Sequence, residues 1–254
     1  MGLLLSIVVS AIACSGKRDE RDAHAAESCA ATELTVGACH SSPYWEICRD
    51  SAAQITIDGD ESLADDIALL RWIGPAEDEL RITVSSGGVS QRFDVSDGTA
   101  MIVRVWTYGG EDRITARETQ ATGHPSEDAH RPMSRHTLEV WAGPQDDVIT
   151  GARLVYGGDG HDVIHGTDER DELHGNGGPD EIHGEGGPDD LYGGGADDEL
   201  HGGSGRDELH GGGGTDQCDH DDEDGAHECE LELEPEDDAL GVGVVAQTTM
   251  RIGS

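Results

Sequence analysis

The stretch GGDGHDVIH, residues 157–165, decides the fold because residues 166–219 repeat its pattern in steps of nine without an insertion. Glycine comes first and Asp sixth in every unit, and the eighth residue is aliphatic in all units but the last. Acidic low complexity alone does not produce so fixed a phase. The seven units begin at Gly157, Gly166, Gly175, Gly184, Gly193, Gly202 and Gly211.

The eighth residue has polar neighbours on both sides, which predicts the inward position of a very short strand. Glycines at positions one, two and four are expected to supply positive φ angles and a close backbone approach in a tight turn. Two units then form one coil of eighteen residues, and coils stack at about 4.8 Å. The turn glycines are Gly157, Gly158, Gly160, Gly175, Gly178, Gly184, Gly187, Gly193, Gly202, Gly205, Gly211 and Gly214.

Stacking of the coils aligns the sixth residues into columns of like charge beside turns rich in carbonyl oxygens. Carboxylate and carbonyl oxygens are the ligands of a hard cation, and Ca²⁺ takes about 6–8 of them. We therefore expect calcium to be bound by the position-six residues Asp162, Asp171, Asp180, Asp189, Asp198, Asp207 and Asp216.

The unit resembles the G-G-x-G-x-D-x-U-x repeat of the hemolysin-type, or repeats-in-toxin (RTX), family. The resemblance covers residues 157–219 and implies a parallel β-roll with Ca²⁺ held between turns by the Asp side chains and turn carbonyls. The pattern gives least support to calcium sites bordering Glu169 and Ala196, because several glycine places hold other residues: Thr167, Glu169, Asn176, Glu185 and Ala196. The predicted fold class is all-β, a parallel β-roll or β-helix solenoid with a degenerate β N-terminal half and flexible ends.

The ninth residues point outward and form a second pattern, which reads His165, His174, His183, Tyr192, His201, His210 and Asp219. Alternate units share a sheet, so His165, His183 and His201 are expected in one column. One interpretation is a weak transition-metal site, for instance at Glu181, His183 and His201. The other is a solvated polar face on which His balances Glu.

Residues 103–116 align without gaps onto residues 138–151, and both copies read as a strand, an acidic glycine turn and a strand. With further strands at 80–84 and 92–95, the solenoid is predicted to run from about 80 to 219. Residues 51–142 thus form either a degenerate solenoid or a small separate β domain. The calcium-binding roll is placed at 143–219, and an acidic cap and tail at 220–254.

Residues 1–13 form an apolar run too short to span a bilayer, which predicts a signal peptide. Ala-Ile-Ala before Cys14 resembles a bacterial lipobox and also fits ordinary cleavage, so Cys14 is either lipidated or the first residue of a secreted chain. Residues 14–50 are predicted to be a tether with a Cys-containing segment. The location is accordingly extracytoplasmic, as an outer-membrane or cell-surface lipoprotein or as a secreted protein.

Cysteines outside the cytoplasm usually pair. Cys218 occupies the last inward position, and we predict a disulfide with Cys229 that closes the terminal coil. The pairing of Cys29, Cys39 and Cys48 stays open. Without Cys14 five cysteines remain and cannot all pair, so one thiol is free or intermolecular, or Cys14 is not lipidated.

The net charge of −38 argues against nucleic acid as a partner and for a cation. The chain contains neither H-E-x-x-H nor G-x-S-x-G. We therefore predict an exported, non-catalytic structural or adhesive module that binds calcium and meets a membrane only through a lipid anchor. The alternatives are a calcium-stabilised appendage of an exported hydrolase and a surface protein that sequesters transition metals. A protein or polysaccharide partner is not identified by the sequence.

Overall fold

A computed structural model describes residues 31–73, 78–95, 100–120, 136–219, 225–229 and 231–233. The predicted signal peptide, Cys14 and Cys29 lie outside these residues, as does most of the tail. Within them the regular structure is all β-strand, and no helix is long and apolar enough to cross a membrane.

The strands are short, with two to nine residues each, and in most of them alternate side chains are buried. In chain order they are β1 (Thr32–Glu33), β2 (Cys39–Ser41), β3 (Glu46–Ser51), β4 (Gln54–Asp58), β5 (Asp65–Ile73), β6 (Asp78–Ser86), β7 (Val89–Val95), β8 (Ile102–Trp106), β9 (Arg113–Gln120), β10 (Thr137–Pro144), β11 (Val148–Thr150), β12 (Leu154–Asp159), β13 (Val163–Thr167), β14 (Glu172–Gly177), β15 (Glu181–Glu185), β16 (Asp190–Gly195), β17 (Glu199–His201), β18 (Glu208–Gly213), β19 (Gln217–Asp219), β20 (Gly225–His227) and β21 (Leu231–Leu233).

These strands form two sheets, and from β8 onward successive strands alternate between them. The first sheet has the order β1-β7-β6-β5-β9-β11-β13-β15-β17-β19-β21. The second has the order β2-β3-β4-β8-β10-β12-β14-β16-β18-β20. Each strand from β8 on pairs in parallel with the strand two places later in the chain, for example Ile164 with Ile182 and Ile182 with Leu200. This is the predicted parallel β-roll, in which one coil takes eighteen residues.

The core of the roll is a single file of aliphatic side chains from each sheet. The inward residues are fully buried, namely Ile164, Leu173, Ile182, Leu191, Leu200, Leu209 and Cys218. Burying one such side chain contributes about 1.5–3 kcal/mol. Ordering the backbone of nine residues costs on the order of 9–18 kcal/mol, so one unit cannot fold alone. The roll is therefore stable only when its coils stack, and ligands bound in its turns can add to that stability.

The N-terminal half does not begin as coils at residue 80, which corrects that prediction. The segments 80–84 and 92–95 belong to β6 and β7, which pair antiparallel in the meander β5-β6-β7. Gly87 and Gly88, with φ of +55° and +78°, turn the chain too tightly for a parallel crossover. Parallel stacking begins earlier, where β4 pairs with β8 and β5 with β9, and it continues into the roll without a break.

Both ends of the stack carry a disulfide. Cys39 and Cys48 join β2 to β3 at the N-terminal end, and Cys218 joins Cys229 beyond the last repeat. Strand pairing also continues past residue 219, because β20 pairs with β18 and β21 with β19.

Candidate metal centre

The seven position-six Asp side chains are buried in the turns between the sheets, with exposures of 0–2%. They fall into two columns. The first column lies in the turns that lead from the second sheet into the first and contains Asp162, Asp180, Asp198 and Asp216. The second column lies in the return turns and contains Asp171, Asp189 and Asp207. The two columns are therefore on opposite edges of the roll.

Backbone-to-carboxylate hydrogen bonds connect the members of each column. The N–H of Asp162 donates to Oδ1 of Asp180 at 2.8 Å, and the N–H of Asp180 donates to Oδ1 of Asp198 at 2.8 Å. In the second column the N–H of Asp171 donates to Oδ1 of Asp189 at 2.8 Å. In Asp180, Asp189 and Asp198, Oδ1 thus holds the preceding coil in register, while Oδ2 makes no hydrogen bond.

The first column extends beyond the repeats, which the sequence analysis missed. The N–H of Asp147 donates to Asp162 at 2.9 Å, that of Asp112 to Asp147 at 2.7 Å, and that of Asp65 to Asp112 at 2.7 Å. A signal was present in the sequence, since each of these Asp residues stands two places before a buried isoleucine, as Asp162 does. The 35-residue internal repeat contained two of the three.

The second oxygen, Oδ2, has no hydrogen-bond partner in Asp162, Asp180, Asp189, Asp198 and Asp216, although it is buried. An unpartnered buried carboxylate oxygen is costly, by about 1–3 kcal/mol or more for a charged group. Each such oxygen points into the turn, beside the position-one glycine of its own unit. These atoms mark where a cation is needed.

The prediction that the position-one glycines supply positive φ angles is wrong. Glycine is required there because a side chain would have no room. None of them has a positive φ. A Cβ placed on Gly184 would lie 2.6 Å from Oδ2 of Asp189 and 2.6 Å from the carbonyl oxygen of Gly202. The place that a side chain would fill is therefore already lined by a carboxylate and a carbonyl of the next coil.

Positive φ angles occur at positions two and four, as predicted, in most units. Gly158 has φ of +131°, and Gly178 and Gly187 have +118° and +108°. Three of the non-glycine residues keep this backbone at φ of +75° to +98°, namely Asn176, Glu185 and Ala196. Thr167 and Glu169 do not, so the turn of the second unit has a different path while the turn of Ala196 stays regular.

Burial strongly raises the pKa of the Asp carboxyl groups in the two columns. Loss of hydration is the main cause, and it takes the pKa of Asp180 to about 7 and that of Asp189 to about 8, with neighbouring Asp carboxylates adding to the shift. The pKa of Asp162 and of Asp198 is raised to about 6 for the same main reason. Because these pKa values are raised, protons neutralise part of the carboxylate charge in the folded turns when no cation is bound. A bound divalent ion instead favours the charged carboxylates.

The oxygen atoms present fit calcium. Carbonyl oxygens at positions two and four face the following coil, as those of Asn176 and Gly160 face Gly194 and Gly178. Together with Oδ2 of the Asp they form an all-oxygen donor set, which suits Ca²⁺. In the part of the chain that the structure describes, no three His, Cys, Asp or Glu side chains converge on a metal position. A bound ion must therefore draw on the backbone as well as on Asp.

The second column begins at Asp171 with partners of a different kind. Oδ2 of Asp171 accepts hydrogen bonds from the N–H of Thr167 at 2.6 Å and from its hydroxyl at 3.0 Å. Nε of Arg153 lies 3.6 Å from Oδ1 of Asp171, and its guanidinium also donates to the carbonyl of Arg170. Both carboxylate oxygens of Asp171 thus have partners within the chain, although burial still raises the pKa of Asp171 to about 6.

The outward His residues lie in the columns that the register predicts, and their geometry argues against a chelated metal. The ring centroids of His165 and His183, and of His183 and His201, are 4.5 Å apart and the planes are within 8° of parallel. Lone pairs in parallel rings do not converge on one ion. Nε2 of His183 lies instead 2.8 Å from Oε1 of Glu181. The polar-face interpretation fits this arrangement, and the transition-metal hypothesis does not.

Comparison with known proteins agrees with this geometry. Residues 156–191 and 192–224 match the family model described as RTX calcium-binding nonapeptide repeat (4 copies). No curated protein and no solved structure showed significant similarity to the chain. Residues 156–224 are thus RTX calcium-binding nonapeptide repeats, and Ca²⁺ is the ion that such repeats bind.

Proposed function

We propose that the protein is an exported, non-catalytic structural or adhesive module whose roll is assembled by calcium. The observation that carries the proposal is the buried row of Asp Oδ2 atoms without hydrogen-bond partners, Asp162, Asp180 and Asp198 among them. Their position makes folding and ion binding the same event, because the oxygens come together only when the coils stack.

The energetics favour calcium as a condition for folding. An ion that binds only the folded state adds RT ln(1 + [L]/Kd), which is about 2.7 kcal/mol at a hundredfold excess over Kd. Extracellular calcium modules have Kd values of about 10⁻⁴–10⁻³ M. Such a roll would be incompletely folded at cytosolic calcium and folded outside the cell, so calcium would act as a signal that export is complete.

Three observations support export. RTX repeat proteins are generally extracellular or secreted. Residues 1–13 have the character of a signal peptide, and Cys14 follows a lipobox-like sequence. The two disulfides Cys39–Cys48 and Cys218–Cys229 are of the kind that persists in oxidising compartments. We propose lipidation of Cys14 over free secretion, with attachment to a membrane through that anchor alone.

The structural role is supported by the large share of the described chain that forms the sheets and their turns. From β4 to β21 the described residues serve the two sheets and the turns that join them. The acidic, regular outer face suits display on a surface and contact with cations, whereas nucleic acid would be repelled by the charge of −38. An exported hydrolase carrying the roll as an appendage remains the competing hypothesis.

Cell fractionation with calcium as the variable tests the proposal. In the native host, the wild-type chain should incorporate labelled palmitate, stay with membranes and resist added protease in millimolar calcium but not in chelator. Cys14→Ser should move the chain to the soluble fraction and leave its calcium-dependent protease resistance unchanged. A soluble, unlabelled wild type would refute the anchor, and cytosolic retention would refute export. Hydrolase activity in the purified full chain would refute the non-catalytic role.

A further inference from the structure

The first column continues upstream of the family match through two turns of the same construction. At residues 107–112 the backbone has positive φ at Tyr108 (+67°) and Gly110 (+122°). At residues 142–147 it has positive φ at Gly143 (+115°) and Gln145 (+88°). These are the second and fourth positions of turns whose sixth residues are Asp112 and Asp147, so both turns have the backbone pattern of a repeat turn although their sequences differ.

Carbonyl oxygens also stack through this region as they do in the repeats. The carbonyl of Tyr108 faces Gly143, that of Gly143 faces Gly158, and that of Gln145 faces Gly160. The backbone part of the calcium donor set is therefore present before the first matched repeat.

Asp147 supplies the second, independent observation. Its side chain is fully buried, its Oδ1 accepts the N–H of Asp112 at 2.7 Å, and its Oδ2 has no hydrogen-bond partner. The pKa of Asp147 is raised to about 8, mainly by burial; the hydrogen bond from Asp112 lowers it, and the carboxylates of Asp112 and Asp162 contribute to the rise. Asp171, the first Asp of the other column, has Thr167 on its Oδ2. Nothing comparable satisfies Asp147.

We propose that the first column binds an additional Ca²⁺ at Asp147, between the turn 142–147 and the turns stacked on it, outside the nonapeptide repeats. The inference rests on calcium binding by the repeats themselves. Ala142 stands where the repeats have glycine. Its methyl group takes room beside the turn, so this ion is expected to bind more weakly than those in the repeats and to fill last.

The first test counts bound calcium in the full-length protein by equilibrium dialysis at saturating ⁴⁵Ca. Asp147→Asn keeps the oxygen that accepts from Asp112 and replaces the unpartnered oxygen by an amide. Asp146→Asn is the matched control, because Asp146 is adjacent, exposed and loses the same charge. We expect Asp147→Asn to bind one ion fewer than both the wild type and Asp146→Asn. Equal stoichiometry in all three proteins would overturn the proposal.

The second test uses terbium as a probe of the same place. The four tryptophans, Trp45, Trp72, Trp106 and Trp141, all lie outside the repeats, and Trp141 directly precedes the turn 142–147. Excitation selective for tryptophan should give saturable Tb³⁺ emission in the wild type, which calcium displaces. Asp147→Asn should lose most of this emission and Asp146→Asn should keep it. The wild-type measurement needs no variant to fold, and absence of emission there would overturn the proposal.

A repeat variant separates this inference from the proposed function. Asp180→Asn should also lower the calcium count, because Asp180 lies within the matched repeats. If Asp180→Asn lowers the count and Asp147→Asn does not, only the additional site is refuted. If the wild type binds no calcium, calcium-driven folding is refuted with it.

Discussion

The two Asp columns are built from the same unit, yet they differ in length and in how they begin. The first runs through seven Asp residues: Asp65, Asp112, Asp147, Asp162, Asp180, Asp198 and Asp216. The second has three, Asp171, Asp189 and Asp207, and begins beside Thr167 and Arg153. The second column stops where the return turn before β12 shortens to residues 151–153 and places an Arg there. The second column thus begins at an Asp whose carboxylate already has hydrogen-bond donors and a nearby Arg within the chain.

The largest expected effect is on the calcium concentration needed for folding, which Asp180→Asn should raise far more than Asp171→Asn. Asp180 has an unpartnered Oδ2, whereas Oδ2 of Asp171 is held by Thr167. Loss of one ion should cost about 2.7 kcal/mol at a calcium concentration a hundred times Kd. Calcium titrations followed by circular dichroism should show a raised calcium midpoint for Asp180→Asn and a much smaller change for Asp171→Asn. Equal shifts would show that the partners of Asp171 do not replace an ion.

The next effect concerns the position-one glycine. Gly184→Ala places a methyl group against Asp189 and Gly202, and such overpacking costs about 1–3 kcal/mol. Gly195→Ala is the control, because a Cβ there has its nearest neighbour at 3.8 Å and its φ is not positive. Thermal melts in calcium should show Gly184→Ala unfolding several degrees below the control. Similar melting temperatures would contradict the role of position one in lining the site.

The calcium-free chain should be more stable in mild acid than in mild base. The folded pKa of Asp180 is raised to about 7 and that of Asp189 to about 8, so the proton binds the folded state more tightly. Stability should therefore fall as pH rises from about 4 to about 8, by at least the order of 1–2 kcal/mol. Denaturant melts in chelator at several pH values measure this. With saturating calcium the dependence should reverse, since protons then compete with the ion.

The smallest effect is expected from Arg153→Gln. The guanidinium is about one-third exposed, and partly exposed ion pairs contribute about 0–1 kcal/mol. Removing it should make the second column slightly more dependent on calcium at Asp171. Arg170→Gln is the control, because Arg170 forms an exposed ion pair with Asp190 on the outer face. A calcium midpoint that moves equally in both variants would assign the change to net charge and not to the column end.

The sequence predicted the parts of the fold that depend on period nine. Inward Ile164, the register of His165 over His183, and the stacking of Asp162 over Asp180 all follow from two units per coil. It did not predict where the roll begins. Asp65 and Asp112, which are hydrogen-bonded neighbours in the first column, are 47 residues apart, because an antiparallel meander intervenes between their coils. Such long-range pairing leaves no fixed spacing in the sequence.

The sequence predicted only part of the turn structure, because some of its contacts form only in the folded chain. Glycine at position one looked like a φ requirement, but the constraint is the carboxylate of the Asp five residues later, which only the folded turn brings close. Likewise, Thr167 looked like a defect in the pattern. In the folded turn its N–H and its hydroxyl both donate to Oδ2 of Asp171. The sequence shows the departure, and only the contacts show its consequence.

The most direct measurement for calcium-driven folding is a paired unfolding experiment on the full-length wild type, with millimolar calcium in one sample and excess chelator in the other. Circular dichroism should show the β-roll in calcium and its loss, or a melting temperature lowered by many degrees, in chelator, because the buried carboxylates of Asp162, Asp180, Asp189 and Asp198 are then without a cation. Identical spectra and melting curves in the two samples would contradict the account.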